Sequence, residues 1–300
     1  MDENMLEPIF TGACTALVTP MHADGSVDYE SFGRLIDWQI ASGIDALLIA
    51  GTSGEGSTLS DEEHRAVLKF AAERIGGRVP AIAGTGSNDT AYACSLTKYA
   101  CELGYDACLV VTPYYNKTTQ RGLLAMYKAI DEASTKPLVL YNIPSRTGVN
   151  IQPATLAKLA EYPHIKAIKE AGGDISQIAE EAMLVGDRVT IYSGNDDQVI
   201  PILSLGGKGV ISVLSNLLPK ETSEMAKAYL RSDVEKAKDL QLHYLPLIKS
   251  LFCETNPIPA KAAMAAMGYG ENVARLPLVT MSEDKEAVML DLMRKEGLIQ

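Results

Sequence analysis

The chain has 300 residues, 47% of them hydrophobic and 22% charged, a composition typical of a folded protein of enzyme size. Its 38 acidic residues outnumber its 27 basic ones by 11, which disfavours nucleic acid and anionic membrane surfaces as partners. Residues 1–10 lack a basic stretch followed by an apolar one, and no apolar run approaches the ~20 residues that cross a bilayer, so we expect a cytoplasmic protein.

Eight short apolar segments follow one another along the chain, separated by polar or glycine-rich turns and amphipathic helical stretches. The predicted strands cover residues 13–19, 45–50, 79–84, 107–112, 138–142, 165–169, 189–193 and 209–213. Continuous apolar strands separated by helices indicate a parallel sheet that is covered on both faces. Eight such units close a (β/α)8 barrel, so we predict an α/β fold of the TIM-barrel type.

Helix-end signals agree with this division. Ser60 and Glu63 have the spacing of a capping box and begin a predicted helix that Gly76 ends. Later in the chain the strand pattern stops and only helical stretches follow. These stretches cover residues 222–230, 234–252 and 258–267. We therefore predict a catalytic barrel domain over residues 1–221 and a C-terminal helical appendage over residues 222–300.

The loop after the second predicted strand is rich in glycine and hydroxyl groups. In barrels of this type the chemistry lies on the loops that follow the strands. Residues 51–56 read GTSGEG, and their glycines allow backbone amides to approach a ligand while Thr52 and Ser53 add hydroxyls. Such a loop suits a carboxylate or a phosphate, although an ordinary structural turn is the alternative.

A lysine ends the sixth predicted strand. Ile165, Ala167 and Lys169 alternate onto one face of residues 165–169. An apolar face disfavours the ammonium form, and a neutral amine can attack a carbonyl. The alternative is a lysine that extends from a strand end to solvent. Lys166, on the opposite face, is expected in solvent.

Two tyrosines and an arginine lie at other strand ends. Tyr115 follows the fourth predicted strand, and Tyr141 and Arg146 lie at the end of the fifth. A phenol can relay protons, and a guanidinium can bind a carboxylate through two hydrogen bonds. Singly, the tyrosines suit half-buried packing and the arginine a surface ion pair. Their occurrence with Lys169 and Thr52 at equivalent strand ends favours one shared site.

The histidines and cysteines lack the spacing of metal ligands. The four histidines are His22, His64, His164 and His243, and the five cysteines include no C-x-x-C pair. We interpret the histidines as surface or capping residues and the cysteines as reduced core thiols. No metal site is predicted.

These motifs together resemble those of the dihydrodipicolinate synthase family, within the pyruvate-dependent class I aldolases. The resemblance spans nearly the whole chain. It is carried by TALVTP (15–20), GTSGEG (51–56), GTGSN (84–88), VTPYYNK (111–117), YNIPSRTG (141–148), IKEAGGD (168–174), SGND (193–196), GVISV (209–213) and ETNPIP (254–259). It implies a lyase that condenses pyruvate with L-aspartate 4-semialdehyde in lysine and diaminopimelate biosynthesis, without a cofactor.

The resemblance also implies catalytic roles for four residues. Lys169 would form a Schiff base with pyruvate, and Tyr141 would carry protons to and from that adduct. Thr52 and Tyr115 would complete the proton relay. In the family, the residue that matches Tyr115 reaches into the site of a neighbouring subunit in a tight dimer, and two dimers form a tetramer. A homotetramer is the corresponding expectation here.

Substrate-binding roles follow in the same way. The backbone amides of Thr52 and Ser53 would hold the pyruvate carboxylate, and Arg146 would bind the carboxylate of the aldehyde. Backbone carbonyls of Gly194 and Ile211 would line the pocket. Ser53 departs from the family pattern, where threonine is usual, but it keeps a hydroxyl and an amide.

A sibling pyruvate aldolase is the nearest alternative. N-acetylneuraminate lyase and the 2-keto-3-deoxy sugar acid aldolases share the lysine and the Tyr-x-x-Pro element. They differ mainly after that proline, where residues 145–148 here (SRTG) follow the synthase pattern. This pattern favours a small charged aldehyde over a sugar.

Two hypotheses that place the protein in other functional classes have less support from the sequence. A phosphate-binding barrel isomerase could use GTSGEG as its anion site, but it needs a catalytic carboxylate at a strand end. Glu170 is the near candidate, and its side chain is predicted to face away from Lys169. A barrel that only binds or scaffolds would form no covalent adduct with pyruvate.

Family members that lysine inhibits bind it at the dimer interface. The matching positions here are Ser57, Asp61, His64, Asn88, Tyr92 and Tyr114. Regulated members carry a glutamate where this chain has Tyr92, and often a histidine where it has Asp61. We therefore expect lysine to inhibit weakly or not at all.

Overall fold

The computed structural model describes residues 7–300. Eight parallel strands pair in chain order, and the last pairs with the first to close a barrel. The strands are β1 (Gly12–Ala16), β2 (Ala46–Ile49), β3 (Ala81–Gly84), β4 (Ala107–Val111), β5 (Leu138–Asn142), β6 (Ile165–Glu170), β7 (Thr190–Ser193) and β8 (Gly209–Ser212). Each predicted strand overlaps one of these, so the barrel prediction is confirmed.

Nine α-helices lie between the strands or directly after the last of them. They are α1 (Tyr29–Ala41), α2 (Asp61–Ile75), α3 (Thr90–Glu102), α4 (Gln120–Ala133), α5 (Pro144–Thr147), α6 (Pro153–Leu159), α7 (Ile175–Val185), α8 (Val199–Ser204) and α9 (Pro219–Leu230). The predicted capping box is present at α2: the Ser60 hydroxyl accepts from the Glu63 amide, and the Glu63 carboxylate accepts from the Ser60 amide. Gly76 ends this helix in the left-handed conformation.

Four further helices follow α9. They are α10 (Val234–His243), α11 (Leu245–Ser250), α12 (Ile258–Ala266) and α13 (Glu283–Lys295). The helical stretch predicted over residues 234–252 is divided into α10 and α11 at Tyr244, because Pro246 cannot donate a backbone hydrogen bond and the chain starts a new helix around it. None of the helices within residues 7–300 has both the length and the apolarity to span a membrane.

The helix α9 runs across the predicted division between residues 221 and 222. It packs against β1, whereas α11 and α12 pack against α13. The division into a barrel domain and a C-terminal helical domain stays a proposal.

Two apolar layers cover the strands, one on each face of the barrel. Small side chains such as Ala46 and Ala167 and larger ones such as Tyr192 fill the barrel interior, and a more extensive, mainly aliphatic layer lies between the strands and the helices. Because both faces of every strand are covered, the strands are apolar almost throughout. A polar residue such as Lys169 on a strand therefore requires a particular reason.

Candidate active site

Lys169 and Tyr141 are neighbours at the carboxyl ends of adjacent strands. The β5–β6 register pairs them, and Lys169 Nζ lies 4.3 Å from the centroid of the Tyr141 ring. Lys169 is only 5% exposed, so the alternative of a solvent-exposed lysine is wrong. Lys166 is exposed on the other face, as predicted. A buried amine beside a phenol can attack a carbonyl and exchange protons with its neighbour.

A cavity of about 410 Å³ opens at this end of the barrel. Thr52, Tyr141 and Arg146, three of the predicted site residues, line it. Lys169 is not among the lining residues but adjoins the cavity through Tyr141. The cavity is large enough for two small carboxylic acids.

Thr52 and Ser53 lie on a tightly folded loop after β2. The Glu55 amide donates to the Thr52 carbonyl at 3.2 Å. Residue 56 must be glycine because a Cβ there would lie 2.3 Å from the Ala50 carbonyl oxygen. Thr52 is half-buried and Ser53 is buried. Thr52 thus brings the loop to the edge of the cavity, and the binding of an anion by the loop amides stays a prediction.

Arg146 lies on the short helix α5, at the rim of the cavity. The Thr147 hydroxyl, which accepts a 3.0 Å hydrogen bond from Thr112, fixes this turn against the end of β4. Arg146 is exposed and donates to the Asn256 carbonyl at 2.9 Å. Its partner is therefore a carbonyl and not the carboxylate of a surface ion pair, which leaves guanidinium donors available to a ligand.

Asn256 is a site residue that the sequence analysis missed. Its side-chain amide donates to the Ser53 hydroxyl at 3.1 Å, and its carbonyl accepts from Arg146. It therefore bridges the two predicted carboxylate-binding positions. The only sequence signal was its place in the motif ETNPIP, to which no role had been given.

Gly194 directly follows β7, the strand that pairs with the one carrying Lys169, and Ile211 lies on β8, one strand further along the barrel. A Cβ at Gly194 would lie 3.1 Å from Lys169 Cε and 2.7 Å from Ala171 Cβ, so glycine leaves room for the lysine side chain. Ile211 is buried in the barrel interior on β8. That their carbonyls line the pocket stays a prediction, because neither residue lines the cavity described above.

The two adjacent tyrosines after β4 have different surroundings. Tyr114 is half-buried and lines the cavity. Tyr115 is 90% exposed, has a left-handed backbone with φ of 70°, and does not line the cavity of its own chain. A left-handed conformation is uncommon for a bulky side chain and marks a site of local constraint.

The cavity extends from Thr52 to the predicted regulatory positions. Ser57, Asp61, His64, Tyr92 and Tyr114 line this part. Asn88 lies beside it and donates to the Tyr114 carbonyl at 3.2 Å. The Tyr92 hydroxyl lies 3.3 Å from His64 Nδ1. A tyrosine ring therefore occupies the position where the regulated relatives were expected to offer a carboxylate.

The interpretation of His64 as a surface or capping residue is wrong. Its side chain is buried, and Nε2 lies 3.0 Å from the Gly84 carbonyl oxygen. Burial lowers the pKa of His64, and the hydrogen bond to Gly84 opposes this shift. Over residues 7–300, no three His, Cys, Asp or Glu side chains are grouped so that they could hold a metal ion.

Two glutamates form a buried pair behind the strand that carries Lys169. Glu170 faces α7, accepts a 2.8 Å hydrogen bond from Asn142, and is buried with Glu181. Burial, followed by repulsion from Glu181, raises the pKa of Glu170 well above its ordinary value. Burial also raises the pKa of Glu181 to about 7. The pair thus retains a proton near neutral pH.

Glu181→Gln should stabilise the protein at alkaline pH. Because folding raises the pKa of Glu181, the stability that its protonated form contributes is complete below its ordinary pKa of 4.5 and is lost as the pH rises through about 7. The variant should gain roughly 1 to 3 kcal/mol over the native protein at pH 8 and little at pH 5. Thermal unfolding midpoints measured from pH 5 to 8 test this.

Glu180→Gln is the matched control, since Glu180 is exposed on the same helix. It removes the same charge, and because burial rather than the Glu180 charge is the main cause of the raised pKa of Glu181, it should change the pH dependence of unfolding much less. A Glu181→Gln variant whose midpoint follows the native protein at every pH would contradict the shared proton.

Comparisons of the sequence with known proteins agree on one protein family. The sequence profile of the Dihydrodipicolinate synthetase family matches residues 9–295. A relative from Caldicellulosiruptor saccharolyticus, named 4-hydroxy-tetrahydrodipicolinate synthase, is 53% identical over 94% of this chain and 95% of its own.

Solved structures agree with the sequence relatives. Dihydrodipicolinate synthase from Aquifex aeolicus has a TM-score of 0.94 at 43% identity, over 96% of this chain and 99% of its own. The enzyme from Cyanidioschyzon merolae, solved with lysine bound, has a TM-score of 0.94 at 38% identity, over 98% of this chain and 100% of its own.

Proposed function

The chain belongs to the dihydrodipicolinate synthetase family, and we propose that it condenses pyruvate with L-aspartate 4-semialdehyde in the 4-hydroxy-tetrahydrodipicolinate synthase reaction. It is a lyase of the pyruvate-dependent aldolase type. The observation that carries the proposal is the pairing of a buried Lys169 with Tyr141 at the end of the barrel, beside a cavity that Thr52 and Arg146 line.

The first half of the reaction forms a nucleophile from pyruvate. The Lys169 amine attacks the ketone carbon, and the resulting carbinolamine loses water as Tyr141 donates a proton to the departing hydroxyl. The protonated imine then accepts the electron pair of a methyl C–H bond. The proton leaves through the Tyr141 and Thr52 hydroxyls, and an enamine remains on Lys169.

The second half joins the two substrates. The enamine carbon attacks the aldehyde carbon, and the aldehyde oxygen takes up a proton. The amine of the second substrate then attacks the imine carbon, releases Lys169 and closes a six-membered ring. In this scheme the loop amides at Thr52 and Ser53 hold the pyruvate carboxylate, Arg146 holds that of the aldehyde, and the carbonyls of Gly194 and Ile211 line the pocket.

Steady-state assays with two aldehydes test the assignment against the sibling aldolases. Pyruvate with L-aspartate 4-semialdehyde should turn over, and pyruvate with N-acetylmannosamine should not. Turnover of only the sugar partner would replace the proposal with an N-acetylneuraminate lyase or a related aldolase. Glu170 is buried and bonded to Asn142, so it offers no catalytic carboxylate to an isomerase.

Arg146→Ala should weaken use of the aldehyde and spare pyruvate. Loss of a charge-assisted contact to a carboxylate should raise the KM for L-aspartate 4-semialdehyde roughly 10-fold or more. The KM for pyruvate should change little, since Arg146 lies at the rim of the cavity. Arg188→Ala is the control, because Arg188 is exposed and lies before β7. It should leave both KM values unchanged. An unchanged aldehyde KM in Arg146→Ala would remove this contact from the mechanism.

We propose a cytoplasmic homotetramer built as a dimer of dimers. Tyr115 is almost fully exposed on its own chain, and an exposed aromatic side chain on a constrained loop suits an interface. In the dimer, Tyr115 of each subunit would complete the proton relay of the other. Sedimentation together with kinetics at nanomolar concentration tests this, since full activity of a monomer would refute it.

Lysine should inhibit weakly or not at all. Tyr92 supplies no carboxylate for the ammonium group of lysine, and a charge-assisted hydrogen bond is worth about 1.5 to 3 kcal/mol, or roughly 10- to 150-fold in affinity. Initial rates across a lysine titration measure the effect, and Tyr92→Glu should strengthen inhibition. Half-inhibition of the native protein at sub-millimolar lysine would show that Asp61 or another group substitutes.

A further inference from the structure

The loop that carries Thr52 and Ser53 is held in an unfavourable backbone conformation. Ala50 and Glu55, near its two ends, have left-handed φ angles of 54° and 53°. A residue with a Cβ pays roughly 1 kcal/mol or more for this conformation and keeps it only where its surroundings hold it. Contacts from residues outside the loop must therefore hold its backbone in this conformation.

A buried ion pair holds one end of the loop from outside. The Glu55 side chain forms a salt bridge with Lys261 of α12, and the two side chains are 1% and 3% exposed. The second carboxylate oxygen of Glu55 accepts a 2.9 Å hydrogen bond from the Arg275 amide. Both oxygens are thus satisfied by the C-terminal part of the chain.

The same segment also touches the loop at a second point. Asn256, just before α12, donates to the Ser53 hydroxyl at 3.1 Å. Ser53 and Glu55 are alternate residues of one turn, so contacts to both restrict how that turn can rotate. The amides of Thr52 and Ser53 lie at the start of the restricted stretch.

Stability alone does not explain a buried ion pair. Burying two charges costs about as much as their attraction returns, and apolar side chains of similar size are often as stable. We propose that Lys261 and Glu55 are positioning residues, which hold the loop so that the Thr52 and Ser53 amides point at the carboxylate of pyruvate. This inference rests on the proposed function.

The effect should appear in the affinity for pyruvate. The carboxylate is held in the same way before and during the reaction, so a misplaced loop should weaken binding more than turnover. Lys261→Met should raise the pyruvate concentration for half-saturation roughly 10-fold, the amount expected for weakening one charge-assisted hydrogen bond. The KM for the aldehyde should stay within about twofold.

Borohydride trapping of pyruvate measures half-saturation directly, without the second substrate. The native protein, Lys261→Met and the double variant Lys261→Met/Glu55→Gln are compared, with thermal midpoints for each. The double variant leaves no unpaired buried charge, so it should regain much of the stability that Lys261→Met loses. It should still require more pyruvate than the native protein for half-saturation.

Lys227→Met is the control, because Lys227 forms an ion pair with Asp45 before β2, at the opposite end of that strand. It should lower the thermal midpoint without changing half-saturation. A double variant that regains both stability and native half-saturation would overturn the proposal, and so would an unchanged value in Lys261→Met. If Lys261→Met does not fold, the pyruvate concentration for half-saturation of the double variant decides whether the proposal holds. Failure of the native protein to trap pyruvate would instead refute the proposed function.

Discussion

Lys169→Ala should abolish covalent trapping of pyruvate and lower turnover roughly 10⁴-fold or more, as expected when the nucleophile of a covalent mechanism is lost. No other lysine is both buried and placed beside Tyr141 at the end of the barrel within residues 7–300. The measurement is reduction with borohydride in the presence of pyruvate, followed by digestion and mass analysis of the modified peptide.

Lys166→Ala is the matched control, because Lys166 lies on the same strand but is exposed on the outer face. It should keep both the adduct and the activity. Added mass at Lys166 in the native protein, or an adduct that survives Lys169→Ala, would contradict the assignment. So would a normal rate in Lys169→Ala. The far-ultraviolet circular dichroism of both variants should match that of the native protein.

The barrel was predictable because its signals are local. Each strand is a short apolar run ended by a turn, and eight such runs leave one common closed architecture. The capping box at Ser60 and Glu63 was equally readable, since its partners are three residues apart. The break in the helical stretch over residues 234–252 is local too, because Pro246 interrupts the backbone hydrogen bonds there.

Much of the site could be predicted for a similar reason. Lys169 and Tyr141 lie at the carboxyl ends of strands, and Thr52 and Arg146 lie in the segments that follow strands. The topology of a parallel barrel gathers these ends at one edge. The contacts of Asn256 with Ser53 and of Lys261 with Glu55 could not be predicted, because they join positions 203 and 206 residues apart. Such pairs depend on how the C-terminal helices pack, which no local pattern encodes.

Tyr141→Phe should separate proton transfer from binding. The Tyr141 ring lines the cavity and lies against Lys169. No hydrogen bond to its hydroxyl is formed within residues 7–300, so phenylalanine should fit without a loss of stability. Turnover should fall roughly 10²-fold or more, the usual effect of removing a positioned proton donor. The pyruvate adduct should still form at Lys169 and be trapped there, but more slowly than in the native protein.

Single-turnover kinetics and thermal unfolding of Tyr141→Phe measure the two parts of this prediction. Tyr127→Phe gives the opposite pattern and serves as the control, because the buried Tyr127 hydroxyl donates to the Val110 carbonyl at 3.2 Å. Its loss should cost about 1 kcal/mol of stability and leave turnover intact. If Tyr141→Phe formed the adduct and turned over at native rates, the protons would have to move through another group. The Thr52 hydroxyl, also at the cavity wall, would then be the group to change next.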